Sequence, residues 1–87
     1  MYYVYFLQNA KGEIYFGSTN NLKRRLQEHN SGHSPHTKGS LWRLPYYEAY
    51  SNESDARNRE IQLKNHGNAL AHLKRRISNS LRQNSAG

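Results

Sequence analysis

The strongest constraint on the fold comes from two short runs near the N-terminus, YYVYFLQ and EIYFGS. Both runs are rich in aromatic and β-branched residues, which favour extended strands. The segment NAKG that separates them has the composition of a tight turn. The chain is therefore predicted to begin with a β-hairpin, and this fixes two antiparallel strands at the start of the fold.

The length of the hairpin loop decides which side chains share a face of the sheet. A loop with an odd number of residues, 9–11 or 8–12, places Tyr5 directly across from Tyr15. A four-residue loop would put these two side chains on opposite faces. We favour an odd loop because Gly12 suits the left-handed position of a bulged hairpin.

A helix and a third strand are predicted after the hairpin. Thr19, Asn20 and Asn21 are each able to cap the helix, which is expected to end at about His29. The next segment, SGHSPHTKGS, has the composition of a loop. LPYYEAY is predicted to form a third strand, and its proline favours a place near the strand start or at a sheet edge.

Two further helices are expected in the C-terminal half. The first is predicted to end at about Asn65, with Gly67 in the C′ position that glycine often occupies. Asn68 can cap the last helix. In that helix, apolar residues recur at helical spacing at Leu70, Leu73, Ile77 and Leu81.

These elements predict an α/β chain of the α+β type, with a small antiparallel three-stranded sheet flanked by helices in the order β-β-α-β-α-α. With 87 residues and no internal repeat, we expect one domain over residues 1–82 and a disordered tail at 83–87. The absence of cysteine excludes disulfides, thiolate metal sites and a cysteine nucleophile. No apolar run reaches the roughly 18 residues of a membrane span, so we expect a soluble, cytoplasmic protein.

The charge of the chain favours a polyanionic partner. Thirteen Lys and Arg residues against six Asp and Glu give a formal net charge of +7. Together with the high tyrosine content, this excess indicates contact with nucleic acid, most simply with DNA. The residues proposed to contact the phosphates are Lys23, Lys38, Arg43, Lys64, Lys74, Arg75 and Arg76.

The first helix carries polar residues where an apolar stripe is expected. On a helical wheel, Leu22 and Leu26 define the face that must be buried, and Arg25 and His29 lie on or beside it. Arg24 falls on the opposite, solvent side. Arg25 and His29 are either edge residues of the core or part of a functional site, and the helix alone leaves both interpretations open.

The second helix presents a similar conflict at Glu60. This carboxylate lies within the apolar arc that Ala56 and Leu63 define. Because glutamate is rarely buried without a partner, Glu60 requires either a basic residue such as Arg25 or a bound cation. The pattern does not separate these two alternatives.

Taken together, these positions resemble the GIY-YIG nuclease domain. Tyr3-Val4-Tyr5 corresponds to the Gly-Ile-Tyr motif and Tyr15-Phe16-Gly17 to the Tyr-Ile-Gly motif. Arg25, His29 and Glu60 match the arginine, histidine and glutamate that follow in the family. The resemblance runs from residue 3 to about residue 77 and looks closest to small standalone bacterial members of the excinuclease-C-like type, which resemble the N-terminal domain of that repair enzyme.

The chain departs from the family pattern at three points. Tyr3 replaces the leading glycine of the first motif, while the tyrosine of that motif is kept at Tyr5. His36 stands where an aromatic residue is often found. The late asparagine of the family corresponds either to Asn65 or to Asn68.

The resemblance implies metal-dependent hydrolysis of nucleic acid phosphodiesters, most simply by a DNA endonuclease or nickase linked to DNA repair or recombination. A single Mg²⁺ or Mn²⁺ is expected on Glu60, and Arg25 is expected to clamp a phosphate oxygen. A protein partner could supply specificity. The alternative is a nucleic-acid-binding module that keeps the fold without cutting.

The remaining motif residues receive roles from the same resemblance. Tyr5 is expected to be the general base, which requires nearby positive charge to lower its pKa. Tyr15 is expected to position water or phosphate, and His29 to orient Tyr5 or to relay its proton. Gly17 is expected to let the backbone approach the phosphate closely, although a plain strand-end glycine is the simpler interpretation.

Overall fold

Three strands form one antiparallel sheet in the computed structural model, which describes residues 1–32, 37, 39–65 and 67–81. The strands are β1 (Tyr2–Gln8), β2 (Ile14–Thr19) and β3 (Arg43–Tyr50), in the spatial order β2-β1-β3. The central strand is therefore the first in sequence. The predicted tail at 83–87 lies outside the described residues.

The helices are α1 (Leu22–Asn30), α2 (Glu53–Asn65), α3 (Gly67–Arg76) and the short α4 (Ser78–Leu81). The predicted fold class and element order are thus confirmed. Of the three capping candidates, Asn21 caps α1, because its side chain accepts a hydrogen bond from the backbone N–H of the third helical residue at 3.0 Å.

The C-terminal helical region differs from its prediction in two details. Asn68 lies within the first turn of α3 and does not precede it, since α3 begins at Gly67. The single helix expected through Leu81 is interrupted at Ile77. The interruption is local, because the backbone N–H of Ile77 still donates to the carbonyl of Leu73 at 3.0 Å.

The predicted pairing of Tyr5 with Tyr15 is wrong by two residues. Tyr5 pairs with Gly17. The cause is Asn9, whose Oδ1 accepts backbone hydrogen bonds from Lys11 and from residue 13 and so closes a loop over 9–13. The odd loop length is confirmed, so Tyr5 and Tyr15 still share a face.

The two faces of the sheet have different coverings. The Phe6 face, which carries Val4 and Phe6, is covered by α2 and α3. Its fully buried core comprises Val4, Phe6, Ala56, Leu63, Leu73 and Ile77. The opposite Tyr5 face, which carries Tyr3, Tyr5 and Leu7, is partly covered by Trp42 and by the apolar residues of α1. No described helix is long and apolar enough to cross a membrane.

A carboxylate on the Phe6 face links β3 to α2. Glu48 accepts hydrogen bonds from Tyr46 at 2.7 Å and Tyr50 at 2.6 Å and forms an ion pair with Arg59 at 3.0 Å. Burial alone would raise the pKa of Glu48, but the hydrogen bonds from Arg59 and the two tyrosines outweigh it and lower that pKa. Burial and the bond to Glu48 raise the pKa of each tyrosine to about 12.

Candidate active site

The hydroxyl of Tyr5 lies at the centre of a buried polar cluster. Its oxygen is 2.9 Å from Nε2 of His29, and Nε of Arg25 donates to it at 3.3 Å. Tyr5 and His29 are 2% and 1% exposed, so this contact is shielded from solvent. The wheel prediction is confirmed in its geometry, because Arg25 and His29 point from α1 toward Tyr5.

The other side of the His29 ring is fixed by the loop that precedes β3. Nδ1 of His29 is 2.7 Å from Oγ1 of Thr37. The carbonyl of Thr37 in turn accepts from the indole N–H of Trp42 at 2.9 Å. Trp42 is thus a core residue of the Tyr5 face and holds the loop against the histidine.

Both titratable groups of this contact are neutral at pH 7. Burial lowers the pKa of His29 below its ordinary 6.5, and the charge of Arg25 lowers it further. Burial also raises the pKa of Tyr5 above 10.0, although the hydrogen bond and charge of Arg25 act in the opposite direction. Because Arg25 can only donate, the tyrosine hydroxyl donates to Nε2, and the Nδ1 proton of His29 faces Thr37.

Tyr15 lies beside the same histidine. The ring centroids of Tyr15 and His29 are 5.0 Å apart, and those of Tyr5 and His29 are 5.7 Å apart. The two motif tyrosines therefore flank one imidazole ring from two strands.

Glu60 approaches from α2, on the Phe6 face, around the edge strand β2. Its Oε1 accepts from Ser18 at 2.7 Å, and its Oε2 pairs with Lys64 at 2.8 Å. Burial would raise the pKa of Glu60, but the bonds from Lys64 and Ser18 outweigh it, so that the pKa is lowered and the group is ionised. The negative charge of Glu60 contributes to the raised pKa of Tyr5, which links this carboxylate electrostatically to the cluster.

The suggested pairing of Glu60 with Arg25 is wrong. Arg25 instead forms its ion pair with Glu28 at 2.9 Å, within the same helix. Lys64 follows Glu60 by one helical turn and reaches the carboxylate without leaving α2.

The model of the GIY-YIG catalytic domain matches residues 1–75, a range that contains every side chain of the cluster. The chain belongs to the GIY-YIG family. This family implies nuclease-type hydrolysis of phosphodiester bonds and therefore a nucleic acid substrate. The resemblance seen in the sequence is confirmed at this level.

The curated relatives are UPF0213 proteins. That of Clostridium perfringens is 38% identical over 66 residues, which cover 74% of this chain and 71% of the relative. That of Bacillus pumilus is 36% identical over 70 residues, covering 72% and 66%, and that of Halobacterium salinarum is 33% identical over 66 residues, covering 74% and 86%. No solved structure significantly matches the chain.

The glycine of the second GIY-YIG motif has a steric role in this structure. Gly17 pairs with Tyr5 across β1 and β2, and the phenol ring lies over it. A Cβ atom added at Gly17 would be 2.8 Å from the hydroxyl oxygen and 3.2 Å from the adjoining ring carbon of Tyr5. Gly17 thus leaves the space in which the ring reaches His29.

Replacement of Gly17 by alanine is expected to displace the Tyr5 ring and weaken its contact with His29. We expect a loss of about 1–3 kcal/mol in the free energy of unfolding, measured in urea, because a rigid buried ring must move. Cleavage of DNA should fall roughly 10- to 100-fold through the same displacement. Gly67→Ala is the control, since its added Cβ meets nothing within 4 Å. Normal cleavage by Gly17→Ala would contradict this role.

The residues proposed to contact phosphates lie on different surfaces. Lys23 is exposed on α1. Lys64 is half-exposed and bonded to Glu60, on the side chain that reaches the cluster. Arg43 bonds to the side chain of Gln8 and to the carbonyl of Ser80 at 3.0 Å, which ties β3 to α4.

The basic end of α3 is separated from the cluster by the sheet. Its exposed residues are Lys74, Arg75 and Arg76. Because α3 packs on the Phe6 face, these side chains and the Tyr5 hydroxyl lie on opposite sides of the sheet. Lys38 and His36 fall outside the described residues. Asn65 and Asn68 are both exposed, near the junction of α2 and α3, and the structure does not choose between them.

Two polar residues of the cluster were not predicted from the sequence. Thr37, which is 1% exposed, comes from a segment whose composition indicates only a loop. Ser18 directly follows the second motif, and the alternation of β2 that puts Gly17 on the Tyr5 face puts Ser18 on the face of α2. That alternation could have identified Ser18 as a partner of Glu60, whereas Thr37 had no comparable signal.

Proposed function

We propose that the protein is an endonuclease that cuts or nicks DNA by the GIY-YIG mechanism, in repair or recombination, as a small member of the excinuclease-C-like type. The observation that carries the proposal is the buried contact at the Tyr5 hydroxyl, where His29 accepts and Arg25 donates. A phenol with a neutral imidazole on its proton and a guanidinium on its oxygen is suited to general-base catalysis.

The proton path begins at the hydroxyl of Tyr5. The hydroxyl transfers its proton to Nε2 of His29, and the phenolate that results is stabilised by the guanidinium of Arg25. This phenolate then takes a proton from the attacking water. Thr37 holds the other ring nitrogen, so that Nε2 stays the acceptor.

Arg25 also provides positive charge for the phosphate. Its side chain is 33% exposed, and its bonds to Tyr5 and Glu28 use Nε and Nη1. A guanidinium in this position can donate to a non-bridging phosphate oxygen as negative charge develops in the transition state.

Glu60 fits a single divalent cation, as GIY-YIG nucleases typically use. It is an ionised carboxylate, and the ammonium group of Lys64 already lies where a cation would approach Oε2. Because Lys64 is 52% exposed, it can leave that oxygen at small cost. Mg²⁺ suits such a site, since it binds few protein ligands and keeps several waters. When bound, the ion would neutralise charge on the phosphate and the departing oxygen.

The same ion pair supports a second candidate, a nucleic-acid-binding module that does not cut. With Lys64 held on Glu60, the carboxylate is already neutralised. Burial also keeps Tyr5 protonated in the absence of a cation. In this case the basic surface would bind nucleic acid without hydrolysis.

The test is an incubation of the protein with supercoiled plasmid and with branched DNA, in Mg²⁺, Mn²⁺ or EDTA. We expect nicked or linear product with either metal and a strong loss in EDTA. Glu60→Ala should lower the rate roughly 10²-fold, because a catalytic ion supplies several kcal/mol of transition-state stabilisation. Cleavage that persists in EDTA would exclude the metal mechanism, and binding without any cleavage would favour the second candidate.

Glu53→Ala is the matched control for Glu60→Ala. Both glutamates are on α2, and each pairs with a basic residue one turn later, Glu53 with Arg57 at 2.9 Å and Glu60 with Lys64 at 2.8 Å. Glu53 does not contact the cluster among the described residues. Equal losses in the two variants would indicate a general effect on the helix and not a metal site.

A further inference from the structure

An exposed pair of tyrosines lies next to Tyr5 on the same face of the sheet. Tyr3 is on β1, two residues before Tyr5, and Tyr47 on β3 pairs directly with Tyr5. The rings of Tyr3 and Tyr47 meet edge to face, with centroids 5.8 Å apart and planes at 73°. We call these two residues the tyrosine platform.

The tyrosine platform differs from the other tyrosines of the sheet. The hydroxyls of Tyr46 and Tyr50 both donate to Glu48, and the hydroxyl of Tyr5 bonds to His29. Neither hydroxyl of the platform is hydrogen-bonded to a described residue. Tyr47 is 51% exposed, although large apolar rings are usually covered. Packing within this domain therefore does not account for the platform.

The sequence shows the same anomaly. Tyr3 occupies the place of the leading glycine in the first family motif, so the chain adds an aromatic ring where the motif has no side chain. The partner strand supplies the second ring at Tyr47. The residue that pairs with Tyr3 on β3 is Ala49, which is exposed and small and leaves the face of the pair open.

We propose that the tyrosine platform stacks an unpaired nucleobase next to the bond that is cut, so that the enzyme selects DNA with a single-stranded branch, flap or gap. Aromatic side chains on an open sheet face stack unpaired bases without sequence preference, and bases inside a continuous duplex cannot reach such a surface. The inference rests on the proposed nuclease function, because it takes the nucleic acid to lie across Tyr5.

Charge and position both favour nucleic acid as the occupant of this face. The formal net charge of +7 attracts a polyanion. Arg25, which bonds to the hydroxyl of Tyr5, is available to the backbone of a strand that passes from the platform to the site. The platform is continuous with the cluster, since Tyr47 and Tyr5 are directly paired residues.

The experiment compares binding of two DNAs in EDTA, which prevents cutting. One is a fully paired duplex, and the other is the same duplex with a short single-stranded branch that carries a fluorescent 2-aminopurine base. Tyr47→Ala is expected to weaken binding of the branched DNA roughly tenfold, the effect of losing one stacked base. It should change binding of the paired duplex little and should abolish the quenching of 2-aminopurine.

Two variants control this comparison. Tyr47→Phe keeps the ring and is expected to bind both DNAs like the wild type. Leu41→Ala removes another exposed side chain, 77% exposed, beside Asn9 and Ala10 at the hairpin end of the sheet, and should affect neither DNA. Circular dichroism checks that each variant is folded. Equal weakening of both DNAs by Tyr47→Ala, or no weakening of either, would overturn the inference.

Cleavage is scored separately with Mg²⁺. A wild-type protein that binds the branched DNA through Tyr47 and cuts nothing would overturn the proposed nuclease function and leave base stacking supported. A wild-type protein that cuts paired and branched DNA equally well, with no effect of Tyr47→Ala, would support the nuclease function and overturn the role of the platform.

Discussion

Arg25→Ala is expected to reduce the single-turnover rate of DNA cleavage roughly 10³-fold, because it removes the charge that stabilises both the Tyr5 phenolate and the phosphate. Arg24→Ala should change the rate little. The two residues are adjacent and identical, and both lie near Glu28, at 3.9 Å from Arg24 and 2.9 Å from Arg25. They differ in direction, since only Arg25 contacts Tyr5, while Arg24 is 59% exposed and bonds to Asn20.

Arg25→Lys tests whether charge alone is sufficient. Lysine keeps the positive charge but lacks the planar fork that bonds to Tyr5, Glu28 and a phosphate together, so partial activity is expected. The thermal unfolding midpoint of all three variants should stay close to that of the wild type, because the ion pairs they lose are partly exposed. Equal losses of cleavage in Arg24→Ala and Arg25→Ala would show that general positive charge, and not the contact with Tyr5, is what matters.

The contrast between Arg24 and Arg25 was predictable because it depends only on helical periodicity. The same holds for His29, which periodicity places on the buried stripe, and for the shared face of Tyr5 and Tyr15, which depends only on an odd loop length. Each of these features follows from a regular local repeat. Regular repeats are the part of a fold that a single sequence expresses directly.

Other features depend on side chains that act outside any repeat. The hairpin register shifted by two residues because Asn9 closes its own loop, and strand composition does not encode that choice. Glu60 found its cation on α2, in Lys64, whereas its position among apolar residues indicated only that some partner was needed. Thr37 reaches His29 through a loop whose path is set by tertiary contacts such as that of Trp42.

Tyr5→Phe is expected to reduce cleavage roughly 10³- to 10⁴-fold, at the upper end of what loss of a general base costs. The ring stays over Gly17, so the change removes the hydroxyl and little else. Loss of the bond to the buried His29 should lower the free energy of unfolding by about 1–3 kcal/mol, measured in urea. Cleavage at the wild-type rate would exclude Tyr5 as the base.

Tyr46→Phe is the matched control for Tyr5→Phe. Its hydroxyl bonds to Glu48 at 2.7 Å on the Phe6 face, and its removal should cost comparable stability. Cleavage by this variant should match the wild type when both are folded. A loss of cleavage that follows stability in both variants would mean that the Tyr5 hydroxyl is structural.

The pH dependence of cleavage needs a folded protein at each pH. Because the pKa of His29 is lowered on folding, the unfolded chain binds more protons than the folded one at mildly acidic pH. The stability that His29 contributes is therefore complete above about pH 6.5 and is lost as the pH falls through its folded pKa. Circular dichroism at each pH separates this loss of structure from a loss of catalysis.

The pH profile decides whether His29 takes the proton of Tyr5. Transfer from Tyr5 to a neutral His29 leaves the total number of protons unchanged, so the rate should be flat between the folded pKa of His29, below 6.5, and that of Tyr5, above 10.0. In His29→Gln, which cannot accept the proton, Tyr5 must release it to solvent, and the rate should rise about tenfold per pH unit across the neutral range. A wild-type rate that already rises in this way would show that His29 only orients Tyr5.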